Sequence, residues 1–184
     1  MKIYTRKGDD GTTGLLYGGR VSKTSPVIEA NGDIDEAQAA LGVARAAAGP
    51  GRLNDMLVVV ERDLYTLMAE VATAAANRHK LTPGTSMVTA EMVSAVEASI
   101  DDLTPEFPPL TDFSIPGQEP VSAQLDHART VVRRAERSLQ GAGMPDSLAP
   151  AYLNRLSDLV WTMARWQEHG ATLRSRDAGG QGLR

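Results

Sequence analysis

The sequence contains no cysteine, few aromatic residues, no excess of positive charge and no long apolar run. The absence of cysteine excludes disulfides, thiol catalysis and thiolate metal sites. The histidines, His79, His127 and His169, are too widely spaced to indicate a histidine-rich metal cluster, and we predict no protein-ligated metal. A formal net charge of -4 argues against a general nucleic-acid-binding protein.

The sequence also lacks long apolar segments. No apolar run approaches the roughly 20 residues of a membrane span, so no membrane partner is expected. The first eight residues, MKIYTRKG, lack the apolar core of a signal peptide. These two features predict a cytoplasmic protein.

The residues that are abundant favour helices. The chain of 184 residues suits one domain with a full-sized core, which we expect to span residues 1–184. Aromatic residues make up only 4%, while alanine and leucine are frequent, and this bias favours helix over sheet. The sequence therefore predicts an all-α domain.

Amphipathic segments alternate with breaks rich in glycine and proline. Ser25 followed by Pro26 is typical of a helix start, and Thr89 and Asp146 are candidate caps of later helices. Residues 104–120 contain five prolines and are predicted to form a loop, and residues 171–184 are expected to be a disordered tail. An up-down five-helix bundle is predicted, with helices at residues 26–48, 53–76, 88–103, 121–140 and 146–169.

Residues 1–25 show no helical periodicity and contain the first candidate site. Within them, Thr5 to Gly14 is rich in glycine and threonine, and Arg20 and Lys23 follow. Glycines let backbone N–H groups converge on an anion, and the cationic side chains add charge that phosphate requires. No Walker A pattern is present. Composition alone also allows, and slightly favours, a flexible arm.

The helix predicted after the proline-rich loop carries a second candidate site. At about 100° per residue, Arg129, Arg133 and Glu136 fall together at one edge of the apolar stripe, while Arg134 and Arg137 point elsewhere. Such an edge could line a groove that holds a polyphosphate. A solvated helix face with ion pairs between successive turns explains the same residues equally well.

Two isolated polar residues are further candidates. Asp35 shares a helix face with Ala39 and Gly42, and a carboxylate beside such close contacts would need an arginine partner; the alternative is an ordinary acidic first turn. Asn154 is predicted to lie opposite the core stripe, near an exposed Trp161 that suggests a second interface. The alternative is a surface amide.

Phe113 begins an apolar island, FSIPG, inside the proline-rich loop. Taken alone, this island is most simply explained as a loop anchored onto the core.

Six segments together resemble the PduO-type ATP:cob(I)alamin adenosyltransferases. In chain order they are TRKGDDGTTGL, GGRVSK ending at Lys23, NGDIDE, FSIPG, ARTVVRRAER and YLNRLSD, and they cover the chain from Thr5 to Glu168. The resemblance implies a five-helix bundle that assembles as a homotrimer with active sites between subunits.

The resemblance also implies residue roles. Arg129 and Asp35 match a salt bridge between subunits that supports catalysis, Arg133 matches a catalytic arginine, and Phe113 matches a residue that helps displace the lower axial ligand of cobalamin. Gly14 stands where relatives often carry a hydroxyl, so any side-chain bond there is lost. The residues that match the family's nucleotide-binding positions are Thr5, Arg6, Lys7, Gly8, Thr13, Gly14, Lys23, Arg133, Arg134, Glu136, Arg137 and Asn154.

The implied reaction transfers the 5′-deoxyadenosyl group of ATP to the cobalt of cob(I)alamin and releases triphosphate, with Mg²⁺ on the phosphate oxygens. Hand-over of the product to an adenosylcobalamin-dependent enzyme is also implied. The alternatives are a non-catalytic ATP-binding regulator, a protein that delivers adenosylcobalamin, and a helical interaction protein with a disordered arm.

Overall fold

The protein is mostly helical, as predicted. A computed structural model describes residues 3, 4, 6–144 and 146–176. None of the described helices is long and apolar enough to cross a membrane. The elements in chain order are β1 Thr12–Gly14, β2 Arg20–Ser22, α1 Pro26–Ala48, α2 Arg52–Val71, a 3₁₀ helix Ala75–Lys80, α3 Ala90–Leu103, a 3₁₀ helix Thr104–Glu106, α4 Pro120–Ala142 and α5 Ala149–Gln167.

Small buried residues on α1 and α4 allow these two helices to pack closely. Ala30, Ala37 and Ala44 recur every seven residues on α1, Ala128 and Ala135 have the same spacing on α4, and all five are fully buried. A side chain that ends at Cβ lets neighbouring helix axes approach. α4 therefore packs between α1 and α5, while α2 packs on α1 and α3 on α5.

The predicted helix starts are partly correct. α1 has the predicted bounds, and Thr89 caps α3 by accepting a hydrogen bond from the Met92 amide at 3.3 Å. The predicted cap at Asp146 is wrong, because α5 begins at Ala149, whose amide donates to the Ser147 hydroxyl at 3.1 Å. A proline in the first turn of α5 suits this later start.

α2 is shorter than predicted because the N-terminal segment pairs with its end. The helix stops at Val71 rather than at residue 76. The amide of Leu16 donates to the Ala72 carbonyl at 2.9 Å, and Leu16 forms a parallel bridge with Thr73. Sequence periodicity could not reveal this end, since the competing partner lies more than fifty residues away.

Residues 171–176 are ordered, so the expected disorder is wrong for this part of the tail; residues 177–184 lie outside the described residues. The Ile115 amide donates to the Leu173 carbonyl, and the Ser175 amide donates to the Phe113 carbonyl, both at 2.8 Å. The tail thus supplies backbone partners to the proline-rich loop, which has few of its own.

The predicted exposure of Trp161 is also wrong. The ring is half-buried and lies edge-to-face with Phe107 of the proline-rich loop, at 6.3 Å between centroids. The loop covers a helix face that looks free in the sequence, so Trp161 offers no evidence of a second interface.

Glu70, at the end of α2, joins three connecting segments. It is fully buried and accepts hydrogen bonds from the Arg78 guanidinium at 2.7 Å, the Val88 amide at 2.7 Å and the Ser147 hydroxyl at 2.6 Å. Such a buried carboxylate is tolerated only when its charge and its acceptor positions are satisfied.

We expect Glu70→Gln to lower the free energy of unfolding by about 3 kcal/mol, since it removes the charge opposite Arg78 and turns an amide donor toward other donors. Urea unfolding followed by circular dichroism measures this. The control is Asp101→Asn on the exposed face of α3, which should change stability by at most about 0.5 kcal/mol. Equal stability of the two variants would show that Glu70 does not hold these segments.

Candidate functional site

The N-terminal segment is ordered by its own side chains, so the flexible-arm alternative is wrong for residues 6–25. β1 and β2 pair antiparallel, with Thr12 opposite Ser22. Arg20 donates through Nε to the Thr12 hydroxyl at 2.9 Å and through Nη2 to the Lys7 carbonyl at 2.5 Å. Arg20 therefore holds the segment together, and its guanidinium is already engaged.

Asp10 completes this arrangement from the turn before β1. Its carboxylate accepts from the Thr12 hydroxyl at 2.7 Å and from the Thr12 amide at 2.9 Å. These two bonds, helped by the nearby Arg20, lower the pKa of Asp10 below its usual 3.8. The turn thus contains an ionised carboxylate that also pairs with Arg20 at 3.4 Å.

Gly8 and Lys23 are in close contact. A Cβ added to Gly8 would lie 3.1 Å from the Thr12 carbonyl oxygen and 3.2 Å from the Lys23 Nζ. A Cβ at this position would therefore require the Lys23 ammonium or the Thr12 carbonyl to shift by a few tenths of an ångström.

The other residues predicted for this segment vary in their placement. Arg6 is exposed, has a positive φ of 60° and lies over the Tyr4 ring at 5.6 Å. Thr13 is half-buried within β1, whereas Gly14 ends the strand in the open. Thr5, which was predicted to bind nucleotide, lies outside the described residues.

A second set of predicted residues meets between α4 and α5. The Asn154 side-chain amide donates to the Glu136 carboxylate at 2.9 Å, and Asn154 also accepts from Arg155. Glu136 and Asn154 line a cleft of about 750 Å³ that also contacts α3, a volume that suits a small-molecule ligand. The prediction that Asn154 lies opposite the core is wrong, because it is half-buried against α4.

The arginines of α4 divide into engaged and available side chains. Arg134 binds Asp33 at 3.2 Å and Glu36, both on α1, and its bond to Glu36 is the main reason that its pKa is raised. Arg133 and Arg137 are exposed, and neither has a hydrogen bond or ion pair among the described residues. Of the predicted guanidinium groups on α4, these two are therefore free to meet an anion.

Arg129 and Asp35 do not pair with each other among the described residues. Arg129 is half-buried, and its Nε lies 3.6 Å from the Asp126 carboxylate but has no hydrogen-bond partner among the described residues. Asp35 is exposed and lines a depression of about 300 Å³ with Ala39 and Gly42, the face predicted from sequence.

Phe113 is 87% exposed, so the explanation of its loop as an apolar anchor on the core is wrong. The anchor is polar: the Ser114 hydroxyl accepts a hydrogen bond from the buried guanidinium of Arg165. Sequence reasoning missed Arg165, because the helical wheel places it opposite the core stripe. The sequence offered one indication that Arg165 is buried: the acidic residues Asp126 and Glu168, its ion-pair partners, flank the apolar stripes of α4 and α5.

The two predicted halves of the site share no hydrogen bond in the described part of the chain. The hydrogen bonds of residues 8–25 stay within the segment or reach Arg6, Lys7, Ile28, Glu29, Ala72 and Asn77. None of them reaches Glu136 or Asn154. The described residues also contain no group of three or more histidine, cysteine, aspartate or glutamate side chains that could hold a metal ion.

Comparisons with known proteins agree on one family. The profile of the cobalamin adenosyltransferase family matches residues 3–167. The chain is 38% identical over 174 residues to a corrinoid adenosyltransferase PduO of Citrobacter freundii, covering 93% of this chain and 51% of that protein. It is 42% identical over 170 residues to a corrinoid adenosyltransferase of Mycobacterium tuberculosis, covering 89% and 87% of the two chains.

Solved structures agree with this. A variant of a PduO-type ATP:corrinoid adenosyltransferase from Lactobacillus reuteri, complexed with cobalamin and ATP, has a TM-score of 0.83 and 25% identity, and the match covers 96% of this chain and 97% of that one. The chain spans about half the length of the Citrobacter PduO relative. On the strength of the profile match and of these identities, the chain belongs to the cobalamin adenosyltransferase family.

Proposed function

We propose that this protein transfers the 5′-deoxyadenosyl group of ATP to the cobalt of cob(I)alamin and releases triphosphate. The observation that carries the proposal is the cleft at Glu136 and Asn154, in a chain of this family whose Arg133, one helical turn before Glu136, is exposed and unpaired among the described residues. The similar Lactobacillus enzyme, whose structure was solved with cobalamin and ATP, supports both compounds as substrates.

The proposed active form is a homotrimer in which each site lies between two subunits. The N-terminal segment of one subunit would face α4 of the next, and this arrangement fits the lack of a hydrogen bond between the two halves in the described part of the chain. Asp35 would pair with Arg129 across the same interface. The exposure of Asp35 supports this pairing. Among the described residues, the Nε of Arg129 has only the 3.6 Å contact to Asp126 and no hydrogen bond, so the half-buried guanidinium can still accept a second carboxylate partner.

The reaction needs no nucleophile from the protein, because the reduced cobalt supplies the electron pair. The C5′–O bond to the triphosphate breaks as the cobalt–carbon bond forms. The first task of the protein is to align C5′ with cobalt, and positioning of this kind accounts for a large share of enzymatic acceleration.

The second task of the protein is to stabilise the negative charge that develops on the triphosphate. Lys23 and Arg133 are exposed cations suited to it. The candidate phosphate contacts of the N-terminal segment are Arg6, Lys7, Gly8, Thr13 and Gly14, where glycines allow backbone amides to approach an anion. Mg²⁺ would be held by the phosphate oxygens, as is usual for nucleotide substrates, since the described residues provide no carboxylate or histidine cage.

Glu136 and Asn154 would bind the nucleoside end of ATP, where a carboxylate and an amide can recognise ribose hydroxyls or the base. Arg137 stays a candidate phosphate contact. Arg134 already has two carboxylate partners, so we expect it to support the nucleotide site mainly by holding α4 against α1.

On the cobalamin side, Phe113 is the candidate group that keeps the cobalt free of its lower ligand. Its ring is almost fully exposed, so it can fill space beneath a bound corrin without first leaving a packed core. A cytoplasmic location and hand-over of the product to an adenosylcobalamin-dependent enzyme stay predictions from the sequence.

The central test mixes the protein with MgATP and chemically reduced cobalamin and follows the visible spectrum. We expect adenosylcobalamin to form, and Arg133→Ala to lower kcat by about 100-fold or more, since it removes a cation from the leaving group. Arg137→Ala, on the same helix one turn later, should lose much less activity.

Equal small losses of activity in the two variants would contradict the assignment of Arg133 to the triphosphate. ATP binding by the wild-type protein without any adenosylcobalamin would instead favour the non-catalytic regulator.

A second prediction concerns the contact between Gly8 and Lys23. Gly8→Ala should raise the Kd for MgATP by about tenfold, because the added Cβ would displace Lys23 or open the turn, and one charge-assisted contact to phosphate is of this strength. Isothermal titration calorimetry measures it. The control is Gly141→Ala, where an added Cβ meets nothing within 4 Å and φ is ordinary. Unchanged affinity in Gly8→Ala would remove Lys23 from the proposed site.

A further inference from the structure

Arg165 is the largest fully buried side chain of the described residues. One end of its guanidinium, Nη2, donates to Asp126 at 2.5 Å and to Glu168 at 2.9 Å, while Nη1 donates to the Ser114 hydroxyl. The Cζ atom of Arg165 lies 5.8 Å from the centroid of the Trp161 ring. The planar fork of arginine, with donors at fixed angles, is what allows one side chain to reach α4, α5 and the proline-rich loop together.

The charges around Arg165 do not balance within the buried cluster. Two buried carboxylates, Asp126 and Glu168, face one buried guanidinium. The second positive charge is Arg129, whose Nε lies 3.6 Å from the other oxygen of Asp126. Asp126 therefore contacts both Arg165 and Arg129, and a movement of either arginine changes the environment of the other.

Glu168 extends the cluster to the chain beyond α5. Its carboxylate accepts hydrogen bonds from the Ser122 hydroxyl at 3.1 Å and from the Thr172 hydroxyl. Residues 173–175 then pair with residues 113–115 through two backbone hydrogen bonds, which form an antiparallel bridge at Ser114 and Arg174. The cluster thus holds both sides of this pairing, one through Ser114 and the other through Thr172.

Phe113 depends on these bonds for its position. Its ring is 87% exposed and so receives little packing from the bundle. Its carbonyl is fixed by Ser175 and the next residue, Ser114, by Arg165. Stability alone is a poor explanation for so many buried charges, since apolar residues of similar volume often stabilise a core as well or better.

We propose that Arg165 is a positioning residue for the cobalamin side of the site. Through Ser114 and the Glu168–Thr172 contact it sets the place of Phe113, and through Asp126 it links that place to Arg129 at the proposed subunit interface. The role assigned to Phe113 in this inference rests on the proposed adenosyltransferase function.

The main test is Ser114→Ala in the full-length protein, which removes the acceptor of Arg165 and leaves the charges in place. We expect kcat to fall by about tenfold, since small displacements of positioned groups are costly, while the KM for ATP changes less than about twofold. The visible spectrum of cob(II)alamin bound to this variant should show that a smaller fraction of the cobalamin lacks its lower axial ligand than in the wild-type protein. The control is Ser99→Ala, a half-buried serine on α3 whose hydroxyl bonds only its own helix, which should match the wild type.

Amide hydrogen exchange gives a readout that does not depend on catalysis. Residues 110–117 and 171–176 should exchange faster in Ser114→Ala and in Thr172→Val than in the control. Arg165→Lys keeps the charge but not the fork, so it should lose at least as much activity as Ser114→Ala. If Arg165→Lys fails to fold, the Ser114→Ala and Thr172→Val variants test the proposal without it.

An unchanged kcat and ligand-free fraction in Ser114→Ala would overturn the proposal, and so would a loss of ATP affinity as large as the loss of kcat, because general damage would explain it. A wild-type protein that makes no adenosylcobalamin would contradict the proposed function instead. In that case, faster exchange of the two segments would still support Arg165 as the residue that holds them, and unchanged exchange would refute it.

Discussion

α4 lies between α1 and α5, and the close approach that its buried alanines permit decides where every charged residue of the helix points. With Ala128 and Ala135 fully buried, the helix cannot rotate without exposing its apolar stripe. Arg134 is thereby turned toward the acidic residues of α1, and Glu136 toward Asn154 on α5. Arg133 is left in solvent. The packing of small residues thus orients the Glu136 carboxylate toward α5 and leaves the Arg133 guanidinium unpaired among the described residues.

Buried and exposed charges serve different purposes in this structure. Glu70 and Arg165, both fully buried, each join segments that would otherwise be held by few contacts. Burial makes such groups costly to leave unpaired, so they fix one arrangement of the connecting segments. The exposed cations Lys23 and Arg133 are not tied in this way, and an anionic substrate can neutralise them without breaking a structural ion pair.

Local sequence signals predicted the helices well and the connections poorly. Pro26 in the first turn of α1 and the bond of Thr89 to the Met92 amide act within a few residues, so the start of α1 and the cap of α3 could be predicted, although the Ser25 side chain makes no cap bond among the described residues. Glu136 could be placed on the edge of its stripe, but its bond to Asn154 could not. Trp161 and Arg165 were misjudged because a helical wheel does not include the loop that covers them. The pairing of residues 113–115 with 173–175 joins distant parts of the chain and has no local signature.

The N-terminal segment illustrates how function follows from what a single chain leaves incomplete. Its internal bonds use Arg20 and Asp10 and leave Lys23 exposed against Gly8, and none of its hydrogen bonds among the described residues reaches Glu136. A kinase or ATPase would need a group that activates an acceptor hydroxyl or water beside the phosphates. In the proposed transfer the triphosphate is the leaving group, so cations that stabilise its charge take the place of such a group. In the proposed trimer, the ordered turn with its exposed lysine and the edge of α4 with its unpaired arginine would supply these cations from adjoining subunits.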